Sequence, residues 1–549
     1  MRSGILIKSM LTGAFILSSL SQAAGAGLSQ EQRKKAGEIY LNMGDEPPSM
    51  DPTKQADSLS GMWLGHLYEG LMTPDKSGKK YIPGTAESMH VSADNKTYTF
   101  KIRKNAKWHD GKPVTAQDFE YAFRRLVDPK FASEYSFIAV TAQIVGAEEI
   151  IQGKKPLTEL GARALDTHTF EVKLKNAVPF FPSLMAFSVF FPVRKDIVEK
   201  FGDKFATNSD SIIGNGPFKL TKWVHEASMR AEKSSTYWNA GDVKINAIEA
   251  PVLLKDPGAA YSQFATGGLD MTGLDRDRLK IAQQDKRSIG NYQDGSVFWL
   301  EMNQRKSALF SNIKMRQALR FALNRSELVN KVLAVPGTKP AFGLVPEYMP
   351  GGKPGSTFRK ESSIKWKDND STTAKKFISE YLAETKQTKV PAFTILGDDG
   401  TNGKMQAEYL QSFLKKVFDT EIKIDLVPFK TRLQRMRDGQ FDIVWAGWGP
   451  DYLDSMTFMD LFMSNNENNH GEFKDAKFDK MIVAAQQEAD AAKRIQLLVA
   501  AEKYLIDEQS AVVPYYQRAR AYVSSEGLQG FLRLQVGADP NFRYASWKK

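Results

Sequence analysis

A chain of 549 residues with no cysteine must hold itself together by burial and hydrogen bonding alone. The absence excludes disulfide staples, thiolate zinc sites, iron–sulfur clusters, a cysteine nucleophile and a lipidated N-terminal cysteine. It also exceeds the length that one core ordinarily serves, so several domains with a large shared interior are expected. With 42% hydrophobic and 25% charged residues the composition is near the globular average, far from a disordered or fibrous chain. The formal net charge of +11 has three readings: a nucleic-acid partner, an anionic membrane, or a soluble protein with a mild basic bias.

Residues 1–26 differ from everything that follows. Arg2 and Lys8 make a basic start, Met10 to Leu20 is mostly apolar, and Ala24-Gly25-Ala26 ends the stretch in small residues, which predicts a secretory signal peptide cleaved after Ala26. Its apolar run is about half the roughly 20 residues that a membrane span needs. No later stretch is apolar enough to cross a bilayer, so the expectation is an exported, soluble, periplasmic protein with no lipid anchor.

Strand and helix patterns interleave along the rest of the chain. Ile39 to Met43 and Tyr98 to Ile102 read as strands, and Thr115-Ala116-Gln117-Asp118 has the form of a capping box opening a helix over Phe119 to Leu126. A strand at Val297 to Asn303 precedes a helix from about Ile313 to Leu333. A Gly/Pro-rich stretch from Val345 to Gly355 reads as a surface loop. Val390 to Leu396, Met405 to Val417 and Ile422 to Val427 form a βαβ pattern, followed by a basic helix, a strand at Phe441 to Ala446, and helices to about Asp507. The class is α/β, without internal repeats or low-complexity linkers.

Catalytic constellations do not emerge. The chain has no phosphate loop, no nucleophile elbow and no zinc helix, and its six histidines fall in unrelated contexts, so no enzyme, metal site or cofactor is expected. Lys and Arg are interspersed with Asp and Glu in every segment, which argues against a nucleic-acid partner. The densest basic feature, Lys430, Arg432, Arg435 and Arg437 on one helix, reads as a solvated face or as a small site for a carboxylate.

The most unusual stretch is Trp445-Ala446-Gly447-Trp448-Gly449-Pro450-Asp451-Tyr452, expected at or just beyond a strand's carboxyl end, where open α/β sheets bind ligands. Gly447 and Gly449 leave backbone groups approachable by another extended chain, and Asp451 can face an ammonium group. An aromatic core corner, with Asp451 capping the next helix, is the equal alternative on pattern alone.

Several blocks in order carry a resemblance. They are Asp51-Pro52, Leu67-Tyr68-Glu69-Gly70-Leu71, Trp108 to Phe119, Gly214-Asn215-Gly216-Pro217-Phe218, Thr236-Tyr237-Trp238-Asn239, Met315 to Leu319, and Trp448 to Tyr452. Over essentially its whole mature length the chain resembles the peptide and oligopeptide solute-binding proteins of ABC importers, solute-binding family 5. The resemblance implies a two-lobed periplasmic-binding-protein fold (type II, cluster C) with an extra domain inserted in the first lobe. On this chain that gives lobe I over 27–68, 193–296 and 514–549, the inserted domain over 69–192, and lobe II over 297–513. Strands begin beside Ser296 and Pro514, which places the two crossings there. A short peptide ligand, a membrane ABC permease and a monomeric receptor are implied as well.

Carried over by position, Asp451 resembles the family's partner for a peptide α-ammonium, with Gly447 and Gly449 lending backbone hydrogen bonds. Tyr135 matches a tyrosine facing the ligand, and Phe429 occupies the place of a pocket-wall aromatic or a core residue; Trp445, Trp448 and Tyr452 of the aromatic stretch are further candidates for ligand contact. The chain also departs from the enteric receptors. Trp445 stands where they have an arginine and Ala56 where they have a glutamate, so N-terminal recognition is expected to be kept and C-terminal recognition rewired. Arg437, Arg435 and Lys404 become candidates for the ligand's carboxylate, unless the preferred peptide length differs. Alternative solutes on the same fold are a dipeptide, a murein peptide, a nickel complex, haem or an oligosaccharide. An exported hydrolase lacks any supporting triad.

Overall fold

The computed structural model describes residues 28–548 apart from 363, 365, 537 and 538, so the expected signal peptide lies outside the described residues. Its main sheet contains β1 (Glu38–Asn42), β2 (Phe218–Val224), β3 (Ser228–Lys233), β4 (Ala247–Val252) and β5 (Met271–Leu274). It continues with β6 (Ile289–Met302), β7 (Phe393–Asp398), β8 (Ile422–Val427), β9 (Ile443–Trp448) and β10 (Val512–Ser524). The helices that matter for the site are α1 (Ser58–Leu67), α2 (Ala116–Val127), α3 (Ile313–Ala322), α4 (Thr401–Phe418) and α5 (Phe429–Arg437).

The strand order β8-β7-β9-β6-β10-β5-β1-β4-β3-β2 divides at its middle pair. β6 and β10 are the long strands, 14 and 13 residues, and each serves two lobes. Ile289 to Gln293 of β6 pair with Val523 to Ala519 on the β5 side, whereas Val297 to Glu301 pair with Gln517 to Val512 beside β9. Between these runs the register breaks, at Gln293/Val297, opposite Arg518. Ser296 lies in this break. Pro514 lies four residues before Arg518 and pairs opposite Trp299.

Lobe II is built as the βαβ pattern requires, with β7 parallel to both β8 and β9 and α4 and α5 as the crossovers. Its core places Leu300, Ile395 and Ile443 from the sheet against Leu319 of α3 and Leu410 of α4. The expected long helix from Ile313 to Leu333 is interrupted after Ala322. Asn324 accepts the Glu327 N–H and starts a new turn, and the buried Arg325 guanidinium donates to the carbonyls of Ala341 and Pro514. Val345 and Met349, expected on a surface loop, are irregular but buried, because the Glu502 carboxylate accepts the Leu344 and Val345 N–H groups.

Within 69–192, strands Ala86–Val91, Thr97–Ile102, Thr169–Lys173 and Ala162–Asp166 form an antiparallel sheet backed by α2. The capping box forms as read, with Asp118 accepting from the Thr115 backbone and hydroxyl, and Phe119 and Phe123 pack on Phe170.

Most of the sequence blocks turn out to be joints of the fold. Gly214 and Gly216 lie so close to the end of α1 that a Cβ on either would meet the Leu67 backbone at 1.9 or 2.6 Å. His109 clasps the same turn, accepting the Gly214 N–H and donating to the Gly216 carbonyl. Glu69, 3% exposed, gathers the Tyr237 hydroxyl, the Trp238 indole and the Arg543 guanidinium, each at 2.6 Å. Asp51 is held bidentately by Arg125.

Candidate functional site

A cleft of about 930 Å³ separates the lobes. Its lobe II wall is the end of β9. This strand pairs with β6 along its whole length, Ile443 to Trp448 against Met302 to Val297, but with β7 only through Ile443 and Val444. From Trp445 onward the β7 side of β9 is therefore bare and faces the cleft. The aromatic stretch thus spans the strand's carboxyl end, with Trp445 to Trp448 inside the strand and Gly449 to Tyr452 just beyond it, because pairing to β6 carries the strand through Trp448.

The direction of the bare backbone groups follows from the two-residue period of a strand. Arg432 donates to the Trp445 carbonyl at 3.1 Å from the side away from β6. Gly447 turns its N–H and C=O groups the same way, and both it and Gly449, just past the strand, are exposed. Gly447 has a second reason to be glycine: a Cβ there would meet the Phe298 ring at 2.6 Å.

Asp451 sits where this edge ends. Its carboxylate accepts from the Tyr135 hydroxyl at 3.3 Å, and its N–H donates to the Thr457 hydroxyl at 3.1 Å. Among the described residues no cation pairs with it. Burial pushes its pKa well above the usual carboxylate range, the nearby Asp460 carboxylate pushes it further, and the Tyr135 hydroxyl and Trp448 indole pull the other way. Asp460 is buried as well and is raised to about 7, mainly by desolvation, while accepting the Thr141 hydroxyl at 2.7 Å. Burial and the neighbouring Asp460 thus make the ionised form of Asp451 costly unless a positive charge comes beside it.

The other expected site residues divide into two groups. Trp445, Trp448, Tyr135, Phe429 and Arg437 line the cleft with Gly447, Gly449 and Asp451. Tyr135 stacks between Phe137, Phe187 and Trp448, and Arg437 reaches the rim, where it pairs with Glu134 from across the cleft at 3.1 Å. Three residues lie elsewhere. Tyr452 is 1% exposed and stacks on Phe180, a core position. Arg435 is held by Asp425, and Lys404 points to solvent 4.0 Å from Glu408. These two cations fail to reach the cleft because α5 and α4 turn those positions outward.

Sequence reasoning missed several cleft groups. At the register break Asp294 is bound by Arg518 and Arg520, which holds its pKa far below the carboxylate range despite burial. Glu301 lines the wall, accepts the Gly471 N–H at 2.6 Å and is pushed up to about 7 by burial. No local motif announces these residues; their partners are far away in the chain. Among the described residues no cluster of three or more His, Asp or Glu could hold a metal, and no helix is long and apolar enough to cross a membrane.

Contacts across the cleft are numerous. Lys255 bridges Asp45 of its own lobe (3.3 Å) and Asp399 of lobe II (3.5 Å), and the Thr401 hydroxyl donates to Asp256 at 3.3 Å.

Comparison with known proteins accounts for this arrangement. The sequence profile of the bacterial extracellular solute-binding proteins, family 5 Middle, matches residues 80–470. The periplasmic oligopeptide-binding protein OppA of Salmonella typhimurium is 33% identical over 547 residues, 98% of this chain and 96% of that one. The structure of Listeria monocytogenes OppA bound to peptide superposes with a TM-score of 0.88 at 32% identity, covering 93% and 99% of the two chains. The Escherichia coli murein tripeptide binding protein MppA gives 0.85 at 28% identity (93% and 98%), but its unliganded open form gives only 0.62 (28%, 93% and 98%). The lobes here are thus arranged as in the peptide-bound relative, not as in the open one.

Proposed function

The chain belongs to family 5 of the bacterial extracellular solute-binding proteins, and from that premise we propose that it is a periplasmic receptor for short peptides. It captures them between its lobes and hands them to a membrane ABC permease, acting as a monomer and making or breaking no bond. One observation carries the reading: a strand edge bare at Gly447 runs through the exposed Gly449 to a carboxylate, Asp451, that pairs with no cation among the described residues. An extended peptide completes the sheet through its backbone, whatever its side chains, and its α-ammonium neutralises Asp451. The lobes turn about β6 and β10 where their register breaks, between Gln293 and Val297 and beside Arg518, and closure buries the ligand.

Titration calorimetry with free and N-acetylated tetrapeptides tests this reading, together with mass spectrometry of what co-purifies. Binding confined to free N-termini is expected. Equal binding of acetylated peptides removes Asp451 from the mechanism, and co-purification of a non-peptide solute removes the peptide.

A further inference from the structure

Asp451 is not the only buried acid at the end of the bare edge. Asp460, 2% exposed, opens the turn Asp460–Phe462 that follows it, close enough for its charge to oppose ionisation of Asp451. The groups that face Asp460 come from three places in the fold. Thr141, the last residue of the short helix Phe137–Thr141 of the inserted segment, donates its hydroxyl to Oδ2 at 2.7 Å, and the Tyr452 hydroxyl reaches the same oxygen at 3.5 Å. Arg494, on the helix Ala491–Lys503, lends positive charge nearby, but its guanidinium bonds Asp454 at 2.7 and 2.9 Å and not Asp460. Oδ1 of Asp460 is buried and has no hydrogen-bond partner among the described residues.

The two carboxyls differ in what supports their anions. Asp460 has the short bond from Thr141 and the field of Arg494. Asp451 has a 3.3 Å bond from Tyr135, whose own surroundings include the acids Asp57 and Glu134, and the Trp448 indole, with no paired cation among the described residues. Without a peptide, Asp460 is therefore the first of the two to ionise, at about 7, and its charge then keeps a proton on Asp451. A peptide ammonium reverses the order, because it favours the anion at Asp451 directly. Two buried anions beside one ammonium leave a charge unpaired, whereas moving one proton from Asp451 to Asp460 leaves none. The unpartnered Oδ1 is the oxygen that can take it.

We infer that Asp460 is a positioning residue of the ammonium site, acting through Asp451 by accepting the proton that Asp451 gives up when a peptide's amino end arrives. The Asp451 O–H bond breaks, an O–H bond forms on Asp460, and the ammonium keeps all its hydrogens, so no further reactant is consumed. This rests on the peptide-binding reading above and adds a regulation to it. Above the pH at which Asp460 ionises, capture proceeds with little net proton release, and affinity stops rising with pH.

The test is titration calorimetry of tetrapeptides with free N-termini at pH 6 and pH 8, in buffers of different ionisation enthalpy, on the native receptor and on Asp460→Asn. At pH 6 the Asp460 carboxyl is neutral like the amide, so Kd and the number of protons released should agree. At pH 8 the variant has no internal acceptor. It should release up to about one proton more per peptide than the native protein and bind about tenfold more tightly, since pH 8 lies one unit above the ionisation of Asp460. The peptide's own amino group titrates identically in both and drops out of the comparison. Thr141→Val repeats the measurement should Asp460→Asn melt early in a thermal scan, because losing the hydroxyl weakens the anion at Asp460 and moves the pH 8 values in the same direction. A Kd changed by the same factor at both pH values with an unchanged proton count marks a merely structural role and overturns the inference while peptide binding stands. Weaker binding by Asp460→Asn at pH 8 alone overturns it too. If the native receptor binds no tetrapeptide at either pH, the peptide reading falls and the inference with it.

Discussion

Replacing Asp451 by Asn removes the charge and little else, because the amide keeps an oxygen to accept the Tyr135 hydroxyl and leaves the backbone N–H on Thr457. A hydrogen bond to a charged partner contributes about 1.5–3 kcal/mol, so the variant is expected to bind free-N-terminal peptides about 10- to 150-fold more weakly. The same change should stabilise the empty receptor. The folded state raises the Asp451 pKa, through burial first and Asp460 second, so the neutral carboxyl is the form the fold favours. The stability tied to it is present below the unfolded carboxylate range and is lost as pH rises through the raised value. Asn suffers no such loss. The ligand-free variant should therefore melt above the native protein at neutral pH, with the difference closing in acid. In the native protein an incoming ammonium keeps Asp451 ionised, so affinity falls on acidification, and calorimetry in buffers of different ionisation enthalpy should register proton release on binding. Unchanged affinity in the variant, an equal loss for acetylated and free peptides, or a lower melting temperature for the empty variant at neutral pH would each refute the reasoning.

Gly447→Ala drives a methyl group into the Phe298 ring at 2.6 Å, an overpacking that should cost about 1–3 kcal/mol in a urea titration and weaken peptide binding together with stability. Lys255→Ala removes the bridge from Asp45 to Asp399, whose side chains are 34–41% exposed, so the closed state should lose no more than about 1 kcal/mol. Peptide Kd then rises less than about fivefold at low salt, and the difference disappears near 0.5 M salt. His66 and His109 are buried and neutral, each pushed down to about 4 by desolvation. Their contribution is intact above the unfolded value near 6.5 and is lost as pH falls toward 4, about 3 kcal/mol for each. Urea midpoints between pH 7 and 4 should show this fall, and His66→Gln should flatten it.

How much of this was legible in the sequence depended on how far each residue's partner lies along the chain. The helix opened by Thr115 and Asp118 and the strand Ile422–Val427 appear where their own residues indicate, because a capping box and a two-residue alternation are satisfied within a few positions. The broken helix after Ala322 was not legible, since what ends it is Arg325 reaching the carbonyls of Ala341 and Pro514. Nor was the fate of Arg435, which Asp425 claims from the neighbouring strand. The sequence blocks that carried the resemblance behave in the same way. Those around Glu69, Asn215, Tyr237 and His109 are spent on one another, joining segments far apart in the chain. The block at Trp448 to Asp451 differs because, among the described residues, the β9 edge that leads into it has no partner strand beyond Val444 and Asp451 pairs with no cation. What singles out this place is the pairing of two kinds of vacancy, backbone groups of an exposed strand edge and a buried carboxylate beside it, since an extended ligand with a charged amino end could fill both at once.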